Sequence, residues 1–410
     1  MRQVPRPGAK PHLLVLASTY PRWAGDHEPG FVHTLNRGML PWFRITVLCP
    51  HAPGAKHIEN LEGVDVVRYR YAPSYLERLV NSGGISSNLK HHPWMHLLLP
   101  GFMLSQLIYT AYLSCRLRPA ALHAHWIIPQ AWIAAACSRL FRFKTPILVT
   151  SHGADLFTLK GRFATRLKHW ALRRTAGWTV VSAAMRPRLA ELGPEASSIE
   201  VRPMGIDLTA RFTPDDSIAR SPNELLFVGR IVEKKGLIHL IQALATVRQQ
   251  HPDVHLTIAG FGPEQDACEE EAGRLGLTSV ITFIGAQDQA TLPGLYRRCT
   301  ALVAPFIEAG NGDQEGLGLV MVEAIGCGCP VITTRLPAIL ELQDGQWPPY
   351  VADPADAHSL AEQIMRVLSA PSKASEWARE LRPSLVARFD HQAVSHAYAR
   401  KLAQLAGLDF

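Results

Sequence analysis

Short runs of apolar and β-branched residues alternate along the chain with longer stretches whose apolar positions recur every three or four residues. The first pattern predicts buried strands and the second predicts helices with one face turned inward. Strands are expected at His12–Ser18, Ile45–Cys49, Val64–Tyr69, Leu122–Trp126, Ile147–Ser151 and Thr179–Ser182, with helices at Phe31–Leu40, Pro129–Leu140 and Arg162–Arg174. The rhythm breaks at Met204–Asn223, where prolines, aspartates and serines cluster. It resumes with strands at Glu224–Val228, Val254–Ala259, Val280–Ile284, Ala301–Ala304 and Pro330–Thr333 and a helix after Gly236. This alternation predicts an α/β protein of two Rossmann-like parallel-sheet domains. The division expected is 1–206 for the first domain, 207–222 for a linker, 223–385 for the second domain, and 386–410 for a C-terminal helix packing back on the first. Such sheets bind ligands beyond the carboxyl ends of their strands, so the expected site is a cleft across which the domains face each other.

Composition narrows the picture. A chain of 410 residues with 47% hydrophobic and 19% charged residues has the makings of two folded domains. Its net charge of +7 and pI near 9.1 call for an anionic partner. Nucleic acid is set aside, because no helix-turn-helix, zinc-finger or aromatic–basic pattern is present; nucleotide phosphates and an acidic lipid surface remain. The seven scattered cysteines do not form a disulfide framework and point to a reducing, cytoplasmic setting. Cys327-Gly-Cys329, without a second ligand pair nearby, reads as small residues at a turn and not as a metal site. The basic N-terminus runs directly into the first strand and is not read as a secretory signal. The stretch His96–Ser114 approaches spanning length but holds Pro100 and Gln106, so it is expected to be a buried or membrane-surface helix.

The chemistry concentrates in the second half. In GDQEGLGLVMVEAIGCGCPVIT (Gly312–Thr333), Glu315 and Glu323 stand eight apart. Asp313, Glu315 and Gly316 suit a helix entry, and a helix over Leu317–Ile325 is expected to present its first amides to a phosphate. If both glutamates were helical their backbones would lie ~12 Å apart, too far for a glycosidase-type acid/base couple. One glutamate is therefore expected to reach a sugar and the other a ribose. In FVGRIVEKKGLIHLIQAL (Phe227–Leu244), Arg230 and Lys235 stand at the carboxyl edge of a strand, placed to neutralise a diphosphate without metal. In the first half, the loop STYPRWAGDHEPGF (Ser18–Phe31) offers Gly25 or Gly30 for close approach to phosphates. VTSHGADLF puts His152 at a strand end, while His123 and His125 read as structural or cleft-lining residues. Arg162, Arg166, Lys168, Arg173 and Arg174 share a helix with Phe163, and docking to anionic lipid and a plainly solvated face are both open for it.

These motifs resemble the retaining glycosyltransferases of family 4, which have the GT-B fold and an E-x7-E motif. The resemblance spans nearly the whole chain and is most specific in its second half. It implies that Glu315 holds the donor sugar's hydroxyls and Glu323 the ribose. Arg230, Lys235 and the backbone around Gly316, Leu317, Leu319 and Val320 would meet the diphosphate. The backbone near Ile284 would contact the base, with Gly30 beside the donor phosphates. His152 would sit near the reacting sugar. The implied reaction moves a hexose from a nucleotide sugar such as GDP-mannose or a UDP-hexose to a glycan or lipid-linked acceptor, with retention, no cofactor and no metal. Kinship also implies bacterial surface polysaccharide or glycolipid synthesis, in the cytoplasm with peripheral contact at the inner face of the plasma membrane. Where many members carry two glycines before Pro-Glu, this chain has Arg335-Leu336-Pro337-Ala338-Ile339-Leu340-Glu341, which leaves the acceptor open. The rival readings are a GT-B epimerase or phosphorylase and a non-catalytic nucleotide-sugar or membrane-binding module.

Overall fold

A computed structural model describes residues 10–26, 30–81, 84–158, 161–343, 345–346 and 348–410. The first nine residues and residues 27–29 of the loop after the first strand lie outside that set. The chain divides into two compact units, residues 1–205 with 391–410, and 206–390.

Among the described residues the first unit holds eight strands: β1 His12–Leu16, β2 Arg44–Pro50, β3 Ile58–Leu61, β4 Val64–Tyr69, β5 Ala121–His125, β6 Ile147–Ser151, β7 Gly177–Val180 and β8 Ile199–Val201. Their order is β3-β4-β2-β1-β5-β6-β7-β8, with all neighbours parallel except β3, which runs antiparallel to β4. β1, β5 and β6 are almost wholly buried, as strands covered on both faces must be. β3, with its polar Ile-Glu-Asn-Leu sequence on an exposed edge, gave no such signal. The C-terminal helix His391–Ala406 packs on the helix Phe31–Met39 and on β5, and Tyr398 Oη donates to the carbonyl of Arg202 at 3.0 Å.

The second unit holds β9 Glu224–Val228, β10 His255–Ala259, β11 Ile281–Gly285, β12 Ala301–Ala304, β13 Val331–Thr334 and β14 Val351–Ala352, all parallel in the order β11-β10-β9-β12-β13-β14. Leu225, Phe227, Leu256, Ile258 and Val303 meet Leu240, Leu244 and Ile364 in its core. Each such side chain contributes about 1.5–3 kcal/mol through burial. Residues 207–222 belong to this unit and are strapped to it. Phe212 is buried, and Arg220 donates to the carbonyls of Tyr296 at 2.9 Å and Gly328 at 3.0 Å.

The strand order reverses at one place in each sheet, between β1 and β5 and between β9 and β12. There the loops leaving adjacent strands diverge to opposite faces and open a crevice.

Candidate active site

In the second unit the reversal point collects most of the charged residues singled out above. β9 ends in Gly229, and the chain passes Arg230 into the short turn Glu233–Lys235, closed by Gly236 at φ 66°. No other residue fits Gly236: a Cβ there would fall 1.9 Å from the carbonyl oxygen of Pro305, just past β12. The close approach fixes the β9 loop against the β12 loop. The backbone confirms the register, since the Ile307 amide donates to the Lys234 carbonyl at 3.0 Å.

Across this junction Lys235 Nζ meets Glu315 Oε2 at 2.8 Å and stands 4.5 Å from the centre of the Phe306 ring. Lys234 Nζ pairs with Asp313 at 3.2 Å, and the Gly318 amide donates to Glu315 Oε1 at 3.3 Å. Burial alone would raise the Glu315 carboxyl, but Lys235, Lys234 and Arg230 outweigh it and hold it down to about 2. Burial lowers the Lys235 ammonium, and Glu315 opposes that fall. The result is an ion pair sheltered from water at a sheet's reversal point, where opposite charges act more strongly than in bulk solvent.

The helix after Glu315 runs over Leu319–Gly326, not from Leu317 as the sequence suggested, and its N-cap is Gly318 at φ 73°. Asp313 and Glu315 are engaged by the two lysines in irregular chain upstream and do not open the helix. Gly316 and Leu317 are buried in the intervening turn, while Leu319 and Val320 form the half-exposed first turn. Amides in that turn have no acceptor within the helix and suit an anion. Glu323 lies one turn on, buried, and accepts the Tyr296 hydroxyl at 2.8 Å. Burial raises its carboxyl to about 7, against the effect of that hydroxyl. Tyr296 and Phe306 were missed in the sequence. Tyr296 lies within the short helix Leu292–Arg298 and Phe306 just after β12, and neither position carries a distinguishing pattern.

Ile284, at the end of β11, belongs to a separate concavity. It lines an open concavity of about 630 Å³ with Thr257, Thr282, Glu224 and Arg298, in which Arg298 pairs with Glu224 at 2.7 Å. None of Arg230, Lys235, Glu315 and Glu323 lines that concavity.

The first unit's reversal point is different in kind. Gly30 caps the helix Phe31–Met39 at the end of the β1 loop. His152, just past β6, places Nε2 2.9 Å from Nδ1 of His125 and packs on Trp126 and Phe31, with ring centres 4.8 and 5.1 Å away. Burial and the neighbouring His123 lower the His152 imidazole to about 3, so it is neutral at physiological pH. His123 is buried and shares a hydrogen bond with Thr150 Oγ1 at 2.7 Å, which makes it a structural residue. Asp155 holds this corner, accepting the Ile127 amide and the Ser151 hydroxyl at 2.8 and 2.7 Å. On the helix Arg162–Leu172, Lys168 is buried and turned toward the carbonyls of Leu156 and Thr158, so it does not belong to the exposed basic face.

Residues 211–382 match the family described as "Glycosyl transferases group 1", and residues 30–210 match "Glycosyltransferase Family 4". The chain is 31% identical over 293 residues to a glycogen synthase of Mycobacterium tuberculosis, spanning 69% of this chain and 68% of that protein. It is 30% identical over 244 residues to a GDP-mannose-dependent alpha-(1-6)-phosphatidylinositol monomannoside mannosyltransferase of Mycolicibacterium smegmatis, spanning 56% of this chain and 62% of that one. In three dimensions it resembles Anabaena Alr3699/HepE, solved in complex with UDP-glucose, with a TM-score of 0.73 at 18% identity over 96% of this chain and 100% of that one.

Proposed function

The chain belongs to the group 1 glycosyltransferases, with two α/β domains of the GT-B type, and from that premise we propose that it is a retaining, metal-independent hexosyltransferase using a nucleoside diphosphate sugar. The observation that carries the reading is the Lys235–Glu315 ion pair at the reversal point of the second sheet, with Glu315 four positions before the helix that begins at Leu319. Glu315, ionised at any physiological pH, accepts hydrogen bonds from the donor sugar's hydroxyls. Lys235, Arg230 and the amides of Leu319 and Val320 take the diphosphate and stabilise the charge that grows on it as the glycosidic bond breaks. Gly316 and Leu317 shape the turn that delivers those amides.

Glu323 receives the ribose hydroxyls with its buried carboxylate, and the backbone at Ile284 borders the base. Gly30 leaves the β1 loop open to the donor phosphates. His152, a neutral imidazole, hydrogen-bonds the transferred sugar, and no proton needs to reside on it. Kinship with the family favours front-face attack by the acceptor, assisted by the leaving phosphate. The donor is a UDP-hexose or GDP-mannose, the sugar nucleotides named for relatives of this chain. The acceptor is a glycan or lipid-linked glycan in surface polysaccharide or glycolipid synthesis. We place the reaction in the cytoplasm, where the chain's seven free cysteines would stay reduced.

Mass-spectrometric screening against a panel of nucleotide sugars, scoring slow donor hydrolysis in the presence of EDTA, tests this. One donor should be turned over and the metal chelator should have no effect. Strict dependence on added Mg²⁺ or Mn²⁺ contradicts the mechanism.

A further inference from the structure

The helix Leu99–Leu117, with the short turn Pro93–Leu98 before it, is long and apolar enough to cross a membrane, yet only 33% of its most apolar window is buried. Its packing excludes a span. Phe102, Gln106, Thr110 and Leu113 form one buried face, and Gln106 accepts the buried Tyr69 hydroxyl at 3.3 Å. Pulling the helix out would strand those groups. The opposite face is apolar as well and open to solvent: Leu104, Ile108 and Tyr112, with Leu97 in the turn before the helix, are 58%, 57%, 54% and 82% exposed. On a helix, residues 104, 108 and 112 form one stripe roughly half a turn away from 102, 106 and 110.

This stripe sits in an unusual electrostatic setting. Residues 78–190 contain fifteen Lys and Arg and a single acidic residue, Asp155, whereas the rest of the chain carries 27 basic against 34 acidic residues. Asp155 is buried, so the surface of this segment is without acidic side chains among the described residues. Three helices of the segment lie side by side. Cys137 of the helix Trp132–Phe141 donates to the Leu107 carbonyl at 3.4 Å, and Trp132 packs on Trp170 of the helix Arg162–Leu172 at 5.9 Å. The ends of these neighbours repeat the theme: Leu140, Phe141 and Phe163 are exposed beside Arg139, Arg142 and Arg162. Among the described residues, eight of the twelve exposed large hydrophobic side chains fall within 78–190.

An apolar stripe alone would fit a second protein as well as a lipid. Arginines around apolar tips, with no acid to answer them, fit a surface that is apolar within and negative at its rim. We propose that this face of the first unit seats the protein on an anionic lipid bilayer. The helix Leu99–Leu117 lies in the plane of the interface with Leu97, Leu104, Ile108 and Tyr112 among the acyl chains. The arginines of the neighbouring helix ends meet the headgroups. The proposal does not depend on the transferase reading, and its test needs no donor.

The test is flotation of the purified full chain with vesicles of pure phosphatidylcholine or of phosphatidylcholine mixed with phosphatidylglycerol, at low and high salt. The parent should float with the anionic vesicles at low salt and be released by high salt. Ile108→Glu should weaken that binding by about tenfold or more, and Arg139→Glu/Arg142→Glu by a similar factor. All these positions are exposed, and unchanged thermal melting establishes that the variants are folded. Ile108→Ser repeats the test without an added charge. Failure of the parent to float, equal binding to neutral vesicles, or parent-like binding by Ile108→Glu and Ile108→Ser each overturns the proposal. So does a parent dimer that Ile108→Glu dissolves, since the stripe would then belong to a second copy of the chain.

Discussion

The two sheets reverse their strand order in the same way, but they furnish the two reversal points with opposite chemistry. At β9 and β12 the loops bring an ammonium and a carboxylate to 2.8 Å, with two further cations near enough to hold the carboxyl at about 2. On the side of β5 and β6, next to β1, the sequence supplies imidazoles, and burial lowers both His123 on β5 and His152 just past β6 to about 3. One end carries fixed charge and the other carries neutral imidazole rings. A single fold thus provides two kinds of site, and the difference lies in which residue types end the strands, not in the sheets.

Removing the cation from the charged side should have the largest effect. Lys235→Ala leaves Glu315 without its 2.8 Å partner and takes one counter-charge from the diphosphate. Turnover should fall by about 10²–10³-fold, measured as steady-state donor consumption, and an equal rate would place the charge elsewhere. On the neutral side, His152→Ala removes a hydrogen-bonding ring but no charge. A loss of about tenfold is expected, with no change in the pH dependence between 5 and 8, because a group titrating near 3 is neutral throughout. If His152→Gln fails to recover any of that loss, the hydrogen-bonding role is wrong.

Glu323 sharpens the comparison from within the charged pocket. Its carboxyl titrates at about 7 when folded, above the 4.5 of an unperturbed glutamate. Folding therefore favours its protonated form, and its contribution to stability falls as pH rises from about 4.5 to about 7, then levels off. Ribose binding needs the carboxylate as acceptor, so KM for the donor should climb by about tenfold per pH unit below about 7. That slope should vanish in Glu323→Gln. In Tyr296→Phe, which removes the opposing hydroxyl, the midpoint should move upward. Glu315 behaves oppositely: held at about 2, it adds stability that is full above about 4.5 and is lost as acid takes the pH down through about 2.

The scaffold is read in stability and not in turnover. Gly236→Ala sets a methyl group against the Pro305 carbonyl and a non-glycine residue at φ 66°. A loss of about 2–4 kcal/mol is expected in urea unfolding. Gly273→Ala, with nothing within 4 Å of the new methyl, is the control.

The strands were the most legible part of the sequence. β9 and β12 appear at the residues their apolar runs indicated, because a strand buried on both faces leaves an uninterrupted signature. Lys235 and Glu315 were singled out in the sequence, and the fold brings them to 2.8 Å. What was hidden depended on partners distant in the chain. Asp313 and Glu315 looked like a helix entry because their lysines lie 79 and 80 positions earlier. Tyr296 could not be tied to Glu323 without the fold. The helix Leu99–Leu117 is apolar on two faces, so periodicity could not say which one is covered. Lys168 likewise read as part of a basic face until its carbonyl partners were seen.

The central claim is that the ionised carboxylate of Glu315 grips the donor sugar, and one comparison tests it most directly. Donor hydrolysis by the parent and by Glu315→Gln is followed side by side in EDTA, with folding checked by thermal melting. The account predicts steady hydrolysis by the parent and a loss of about 10²-fold or more in the folded variant. Equal rates from the two proteins would contradict it.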